Sequence, residues 1–331
     1  MRVLILSHRD VLAVLSPQAC AEAMATVLAE HAMGETYMPL RSVMAPPAAD
    51  GFMGLMPGWR GPRPGTAAAF ALKAVCIMPA NPGRGLDAHQ GVVTLFDGET
   101  GEPAAILDAS AITEIRTAAV TAVATNALAR QDARVLAVIG AGTQAKAHLQ
   151  ALARVRDFDE VRIYAPTQAH ARAAAEHAIG VRAEPSVAAT AQEAVRDADV
   201  VVTATSSREP VLRHDWLTAG AHVNAVGAST PRAREIDTAT VAASALFCDS
   251  RESLRHEAGE FQLAIAEGLI AGEQHVRAEL GEVLAGTAPG RRDASELTLF
   301  RSLGLAVEDL AAAERAVTAA RELGIGTEVE L

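Results

Sequence analysis

The sequence predicts an α/β protein in two parts: a parallel sheet with helices on both faces, and an α+β domain with an antiparallel sheet. Three observations predict it. Arg134 to Ala153 reads RVLAVIGAGTQAKAHLQALA: an apolar run from Val135 to Ile139, a glycine turn, then a helical pattern with Ala147, Leu149 and Leu152. The middle third alternates strand and helix, which favours parallel strands joined by right-handed crossovers. The first third carries five strand patterns without intervening helices, which favours antiparallel pairing.

In chain order, Val3 to Leu6 is a short strand, and Ser16-Pro17 opens a helix that runs to about Met33 before Gly34. Strands are expected at Tyr37 to Val43, Phe52 to Met56, Ala68 to Ile77, Gly91 to Phe96 and Ala104 to Leu107, the last two joined by the hairpin loop Asp97 to Gly101. The Pro/Gly-rich segment Pro57 to Gly65 is expected to be a surface loop. A helix over Ser110 to Ala129 hands the chain to the glycine turn. Beyond it the strand patterns are Val161 to Ala165, Asp199 to Thr203, Ala221 to Val226 and, as the last clear one, Ala245 to Cys248. Helical stretches fall at Ala169 to Ala178 and Ala191 to Arg196. After Phe261 the chain is helical again, with apolar spacing at Leu310 and Ala313, and the tail from Gly324 is short enough to return as an edge strand. The expected domains are 1–115 with about 305–331, and 116–304.

Length and composition bound the function. With 331 residues there is room for about two cores. Half the residues are hydrophobic but only 3% aromatic, so those cores must be built from Ala, Val, Leu and Ile. A net charge of −11 argues against a nucleic-acid partner. Cys20, Cys76 and Cys248 share no metal-like spacing and read as buried thiols of a reducing compartment. No apolar run approaches the ~18 residues of a membrane span, and no secretory leader pattern is present, so a cytoplasmic protein without a membrane partner is expected. His89, His222 and His256 have no ligand-like spacing, so no metal site is expected.

The glycine turn has the pattern GxGxxA. Gly140 permits the sharp turn, Gly142 lets backbone approach a pyrophosphate, and Ala145 lets helix and strand pack closely, while Thr143 and Gln144 open the helix toward the phosphates. This makes the second domain a Rossmann dinucleotide-binding domain, the alternative being a tight structural turn. Ligands of such sheets lie at the carboxyl ends of the strands, so Ala204-Thr205-Ser206 and Val226-Gly227 should border the cofactor. At the end of the second strand, where NAD sites carry an acid, stand Ala165-Pro166-Thr167-Gln168. No carboxylate repels a 2′-phosphate and no arginine in that turn greets one. NADP(H) is slightly favoured over NAD(H), with Pro166, Thr167 and Gln168 as contacts.

Chemistry has to come from the first domain. Arg41, Lys73 and Arg116 fall within otherwise apolar strand or helix patterns, PLRSVM, FALKAVC and TEIRTAA. Each alone can be a solvated residue or half of an ion pair. Converging, they would make a carboxylate pocket, in which a crowded and desolvated lysine has its pKa pushed down toward a useful acid–base range. Met56 is a candidate lining residue.

The order of motifs resembles the ornithine cyclodeaminase/mu-crystallin family. The matching segments are Leu55-Met56-Pro57, Lys73 with Pro79-Ala80-Asn81-Pro82, Gly85-Leu86 with His89-Gln90-Gly91, Leu95-Phe96-Asp97 with Thr100-Gly101-Glu102-Pro103, and Arg116-Thr117-Ala118-Ala119. They continue with Ile139 to Ala145, His222 to Ala228 and Ser302-Leu303-Gly304-Leu305-Ala306, so the resemblance spans nearly the whole chain. It implies a homodimer paired through the N-terminal sheet domains, with substrate held between that domain and the Rossmann domain. It implies that Arg41 and Arg116 hold a substrate carboxylate, that Lys73 contacts it or serves as acid/base, and that Thr117, Ser302 and Gly304 join the cofactor contacts. Family members that cyclise ornithine carry an aspartate where this chain has Ser229, a departure that favours imine reduction, with Ser229 at most a substrate contact. The expected function is NAD(P)H-dependent reduction of a small anionic α-imino acid or cyclic ketimine to an amino acid. The alternatives are an ornithine cyclodeaminase using bound NAD, and a non-catalytic NADPH-dependent binding protein like mu-crystallin.

Overall fold

A computed structural model describes residues 1–178, 182, 184–231 and 233–331. Two units are distinguished, Met1–Arg116 with Gly304–Leu331, and Thr117–Leu303.

In the first unit the strands are β1 (Arg2–Leu6), β2 (Thr36–Tyr37), β3 (Ser42–Met44), β4 (Phe52–Arg60), β5 (Ala69–Ile77), β6 (His89–Asp97) and β7 (Pro103–Asp108). β4 to β7 form an antiparallel meander, whose last hairpin turns at the Asp97 loop. β1 joins β7 in parallel, so the sheet is mixed at that side, and the C-terminal strand Thr327–Glu330 takes the edge beside β1. Alternation along β5 turns Ala71, Lys73 and Val75 to the buried face, and Val93 and Leu95 of β6 join them. The alanine-rich helix Ala306–Leu323 packs on that face against β4, β5 and β6. Small residues set the approach: a Cβ added at Gly58 would lie 3.3 Å from Ala306 Cβ.

Several expectations need correction here. Tyr37 to Val43 is not one strand but β2 and β3 with a break between them. Pro57 to Gly65 is not a loop, because β4 continues through Pro57 to Arg60. Pro57 pairs with Leu72 of β5 on one side, while on the other it faces the break between β2 and β3, where a missing N–H leaves no ladder bond unmade. Arg60 is held by the buried Glu30, whose carboxylate takes Nε at 2.6 Å and Nη2 at 2.9 Å, and by Glu314 at 2.6 Å. A helix His8–Val14, closed by a capping box between Ser7 and Asp10, was not read from the sequence at all.

In the second unit the strands are β8 (Val135–Ile139), β9 (Glu160–Tyr164), β10 (Ser186–Val187), β11 (Val200–Thr203), β12 (His222–Ala225), β13 (Ala245–Cys248), β14 (Val276–Glu279) and β15 (Thr298–Arg301). They pair in the order β10-β9-β8-β11-β12-β15-β13-β14, all parallel. The order reverses between β8 and β11, and the carboxyl ends of strands at such a switch point form the ligand crevice of this sheet type. β13 is thus not the last strand. β14 and β15 escaped notice because Arg277, Glu279 and Arg301 interrupt their apolar runs; Arg301 is buried, paired with Glu260, and donates to the carbonyls of Ala225 (2.9 Å) and Ser302 (2.6 Å). Among the described residues no single helix is long and apolar enough to cross a membrane.

Candidate active site

The glycine turn follows from a buried β8. Gly140 has φ +129°, and an added Cβ there would run into the Ala204 carbonyl oxygen and lie 3.6 Å from Ala145 Cβ, so strand, turn and helix touch with no room for a side chain. Gly142 is different: nothing lies within 4 Å of the position its Cβ would take. It is the N-cap of the helix Thr143–Leu152 and makes no side-chain cap, so the uncapped N–H groups and the open face beside Gly142 fit a dinucleotide pyrophosphate. Thr143 is exposed at this helix start and Gln144 half-buried behind it. His148 anchors the helix from below. Its Nδ1 donates to the Gln144 carbonyl at 2.7 Å, so Nε2 accepts from the Thr121 hydroxyl at 2.9 Å, and burial pushes its pKa down to about 4.

The neighbouring strand ends are tied by a residue that sequence reasoning missed. Glu235 is buried and accepts from Thr205 N and Gly227 N, each at 2.6 Å, and from Thr203 Oγ1 at 3.0 Å, so one carboxylate joins the ends of β11 and β12. No motif marks it, since PRAREID reads as an ordinary loop. Ala204 and Val226 are buried here, Thr205 is half-buried, and Ser206 and Ser229 are exposed. Ser302 is buried, with its N–H donating to the Ala225 carbonyl at 3.1 Å, and Thr117 is buried in the helix Ala109–Leu128. At the end of β9, Pro166, Thr167 and Gln168 are exposed. Arg172, one helical turn on, donates to Gln168 Oε1 at 3.3 Å and brings to that turn a cation that the sequence reading, confined to the turn itself, passed over.

The first unit assembles the cations. Lys73 is only 3% exposed, with Met56 and Val93 as its cross-strand neighbours. Its Nζ donates to Asp309 Oδ1 at 2.9 Å and to Thr113 Oγ1 at 2.6 Å. Arg116 Nε donates to the same Asp309 oxygen at 3.1 Å, and its Nη1 to Glu308 Oε2 at 2.9 Å. Arg41 does not lie in a strand as expected; it immediately precedes β3, and its Nη2 donates to the Gly304 carbonyl at 2.8 Å. Gly304, expected among the cofactor contacts, is placed with the cations: at φ +79° its absent side chain would come within 2.6 Å of Arg116 Nη1. Gly304 and Asp309 thereby bring Arg41, Lys73 and Arg116 together. Glu308 and Asp309 carry no signal of their own in the sequence, because acids in a first helical turn are ordinary.

Electrostatics follow from this packing. Burial pushes the Lys73 ammonium down to about 8, helped by Arg116 and Arg41 and resisted by Asp309. Burial alone would raise the Asp309 carboxyl, but Lys73 and Arg116 outweigh it and hold the group below the usual range, ionised. Burial likewise lowers His89 on β6, with Lys73 and Arg116 adding to the shift against Asp87. Arg41, Lys73 and Arg116 thus lie in one cluster with the carboxylates of Glu308 and Asp309.

The model of the ornithine cyclodeaminase/mu-crystallin family matches residues 1–322. Mouse ketimine reductase mu-crystallin is 38% identical over 283 residues, covering 85% of this chain and 84% of that one. The structure of Thermococcus litoralis Delta(1)-pyrroline-2-carboxylate reductase in complex with NADH and L-proline superposes with a TM-score of 0.94 at 35% identity, covering 99% of this chain and all of that one. An archaeal alanine dehydrogenase dimer with bound NAD does so at 0.93 and 33%, each chain fully covered. With its glycine turn, its buried lysine between two arginines and these matches along nearly its whole length, the chain belongs to the ornithine cyclodeaminase/mu-crystallin family.

Proposed function

We propose that this chain is an NAD(P)H-dependent oxidoreductase that reduces the C=N bond of a small α-imino acid or cyclic ketimine, of the pyrroline-2-carboxylate type, to the amino acid. The observation that carries this is the Lys73 ammonium, 3% exposed and sharing one Asp309 oxygen with Arg116. Arg41 and Arg116 bind the substrate carboxylate and fix its orientation. The Thr113 hydroxyl is committed to the Ala109 carbonyl at 2.6 Å, so toward Lys73 it only accepts. Among the described residues Thr113 and Asp309 are the two acceptors of Lys73, which leaves the third N–H of the ammonium to the substrate nitrogen. Lys73 thereby keeps the imine protonated, and a protonated imine is the better hydride acceptor. A reduced nicotinamide, when bound, would supply that hydride; Gly140, Gly142, Thr143, Thr205 and Gly227 would hold the dinucleotide.

The first unit is then the substrate-binding and dimerisation domain and the second the cofactor domain. Arg172 beside Gln168 supports NADPH over NADH. A second copy of the chain supplies the dimer partner. The support for it is an aromatic row on the sheet face opposite Lys73, where Trp59, Phe70 and Phe96 stand side by side across β4, β5 and β6 and Phe70 is 47% exposed. Ser229, in place of the cyclodeaminase aspartate, supports reduction over deamination, since a serine without a base does not take a proton near pH 7. The test is cofactor oxidation by purified protein with pyrroline-2-carboxylate, piperideine-2-carboxylate, and pyruvate with ammonia or methylamine. Oxidation with none of these, or ammonia release from ornithine without net oxidation, would overturn the reading.

A further inference from the structure

We infer that Asp309 is the positioning residue of this site: one oxygen, set between the Lys73 ammonium and the Arg116 guanidinium, fixes where Nζ stands and keeps its proton on it. The inference rests on the reading of Lys73 as the proton holder and adds the group that makes it one.

The geometry is specific. Asp309 Oδ1 takes Lys73 Nζ at 2.9 Å and Arg116 Nε at 3.1 Å, while Oδ2 is buried and has no hydrogen-bond partner among the described residues, so the carboxylate is committed through one atom. Asp309 is 1% exposed, in the first turn of the helix Ala306–Leu323, where the helix dipole favours a negative charge. The charged groups facing Lys73 come from every element around it: Asp309 and Glu308 from this helix, Arg116 from the helix Ala109–Leu128, His89 from β6 and Arg41 from the segment before β3. All but the two carboxylates are basic groups, and of those two only Asp309 bonds Lys73.

The amino-acid choice points the same way. Of 29 basic residues in the chain only two, Lys73 and Lys146, are lysines; every other position uses arginine. A guanidinium does not release a proton near neutrality, whereas an ammonium in a desolvated site does. Lysine at position 73 is therefore the exception that proton transfer requires. Its proton would be lost too easily among arginines without an ionised carboxylate in contact. When Nζ gives its proton to the substrate nitrogen, the π pair of the C=N bond ends on that nitrogen as hydride from the nicotinamide bonds the carbon. The neutral amine left behind regains a proton from water before the next turnover.

Two lysines make the test direct. In protein labelled with 13C-lysine, the Cε resonances of Lys73 and Lys146 are followed against pH, with Lys146 as internal reference, beside the pH profile of kcat/KM for imino-acid reduction. In wild type, Lys73 is expected to titrate below the ordinary lysine range, near 8. In Asp309→Asn the titration moves to lower pH by about 1–3 units, the size of effect an opposite charge in contact produces, and the falling limb of kcat/KM moves with it. Asp309→Glu keeps the charge, so it returns the titration toward wild type, yet lowers kcat because a longer side chain no longer sets Nζ in place. An unmoved Lys73 titration in Asp309→Asn would overturn the inference. Wild-type turnover in Asp309→Glu would do so independently, even if the asparagine variant did not fold. A wild type that reduces no imino acid would sink the proposed reaction instead, while the resonance titration would still report the Asp309–Lys73 coupling.

Discussion

The two glycines of the turn separate folding from cofactor binding, and alanine substitution at each gives opposite outcomes. At Gly140, alanine meets both a positive φ of +129° and the Ala204 carbonyl, whose carbon would lie 3.0 Å from the new Cβ. The backbone strain costs about 1–3 kcal/mol, and forcing a methyl group against a fixed backbone costs about 1–3 kcal/mol more. Together that is roughly 2–6 kcal/mol, a large part of the ~5–15 kcal/mol that holds a domain folded. At Gly142 the backbone is extended, with φ −79° and ψ −173°, and no atom lies within 4 Å of the new Cβ. There the gain from a stiffer unfolded chain, about 0.4–1 kcal/mol, offsets the loss of a better N-cap, about 0.5–1 kcal/mol. Stability should change by less than about 1 kcal/mol, while the methyl group stands where a pyrophosphate must approach and weakens NAD(P)H binding by about 10-fold or more, equal to about 1.4 kcal/mol. Urea unfolding and fluorescence titration of NADH and NADPH read the two quantities separately. A Gly140→Ala protein as stable as wild type, or a Gly142→Ala protein with wild-type cofactor affinity, would refute the assignment of the turn.

Four further outcomes are expected. Arg41→Met removes a charged donor from the substrate carboxylate, so KM for the imino acid should rise about 10-fold or more, in line with the ~1.5–3 kcal/mol of such bonds; steady-state kinetics check it, and an unchanged KM counts against Arg41 as a carboxylate ligand. Arg172→Ser should raise KM for NADPH more than for NADH, and equal effects would remove its role in cofactor choice. Phe70→Glu should convert a dimer to monomers by light scattering after gel filtration, and no change in mass would move the interface elsewhere. His148 and His222 are buried and neutral, with pKa values pushed by burial to about 4 and about 3, below the ordinary 6.5. The unfolded chain then binds protons that the native one refuses, so stability is complete above 6.5 and is lost as pH falls from 6.5 toward 4 for His148 and toward 3 for His222, by up to roughly 3–5 kcal/mol per site. Unfolding curves at stepped pH follow this loss, and a flat profile over that interval would mean the two rings are not held neutral.

What was legible in the sequence was whatever depends on neighbours along the chain. The glycine turn could be read because strand, turn and helix are consecutive, and the helix Pro17–Ala32 because Ser16 and Pro17 announce it. Arg41, Lys73 and Arg116 stood out as charges in apolar patterns, and the structure supplies the partners such charges require. Those partners were not legible. Asp309 meets Lys73 across 236 positions, and Glu235 ties Thr205 to Gly227 by a fold that no local pattern records. β15 was hidden because Arg301, a buried charge at the end of the strand, is tolerated only with Glu260 packed beside it. Pro57 misled for the converse reason: a proline costs no ladder bond where its nitrogen faces an unpaired side of the strand.

The first unit is interrupted in the sequence, opening with Met1–Arg116 and closing only with Gly304–Leu331. During synthesis the whole of the second unit therefore leaves the ribosome before the helix that carries Glu308 and Asp309. Until then the nascent sheet and the helix Ala109–Leu128 hold Lys73 and Arg116 without their carboxylates, two charges that a nonpolar core rejects. The contiguous second unit can form as soon as it emerges, whereas the cation pocket must wait for the segment that follows it. The pocket is thus neutralised only after the second unit has been made.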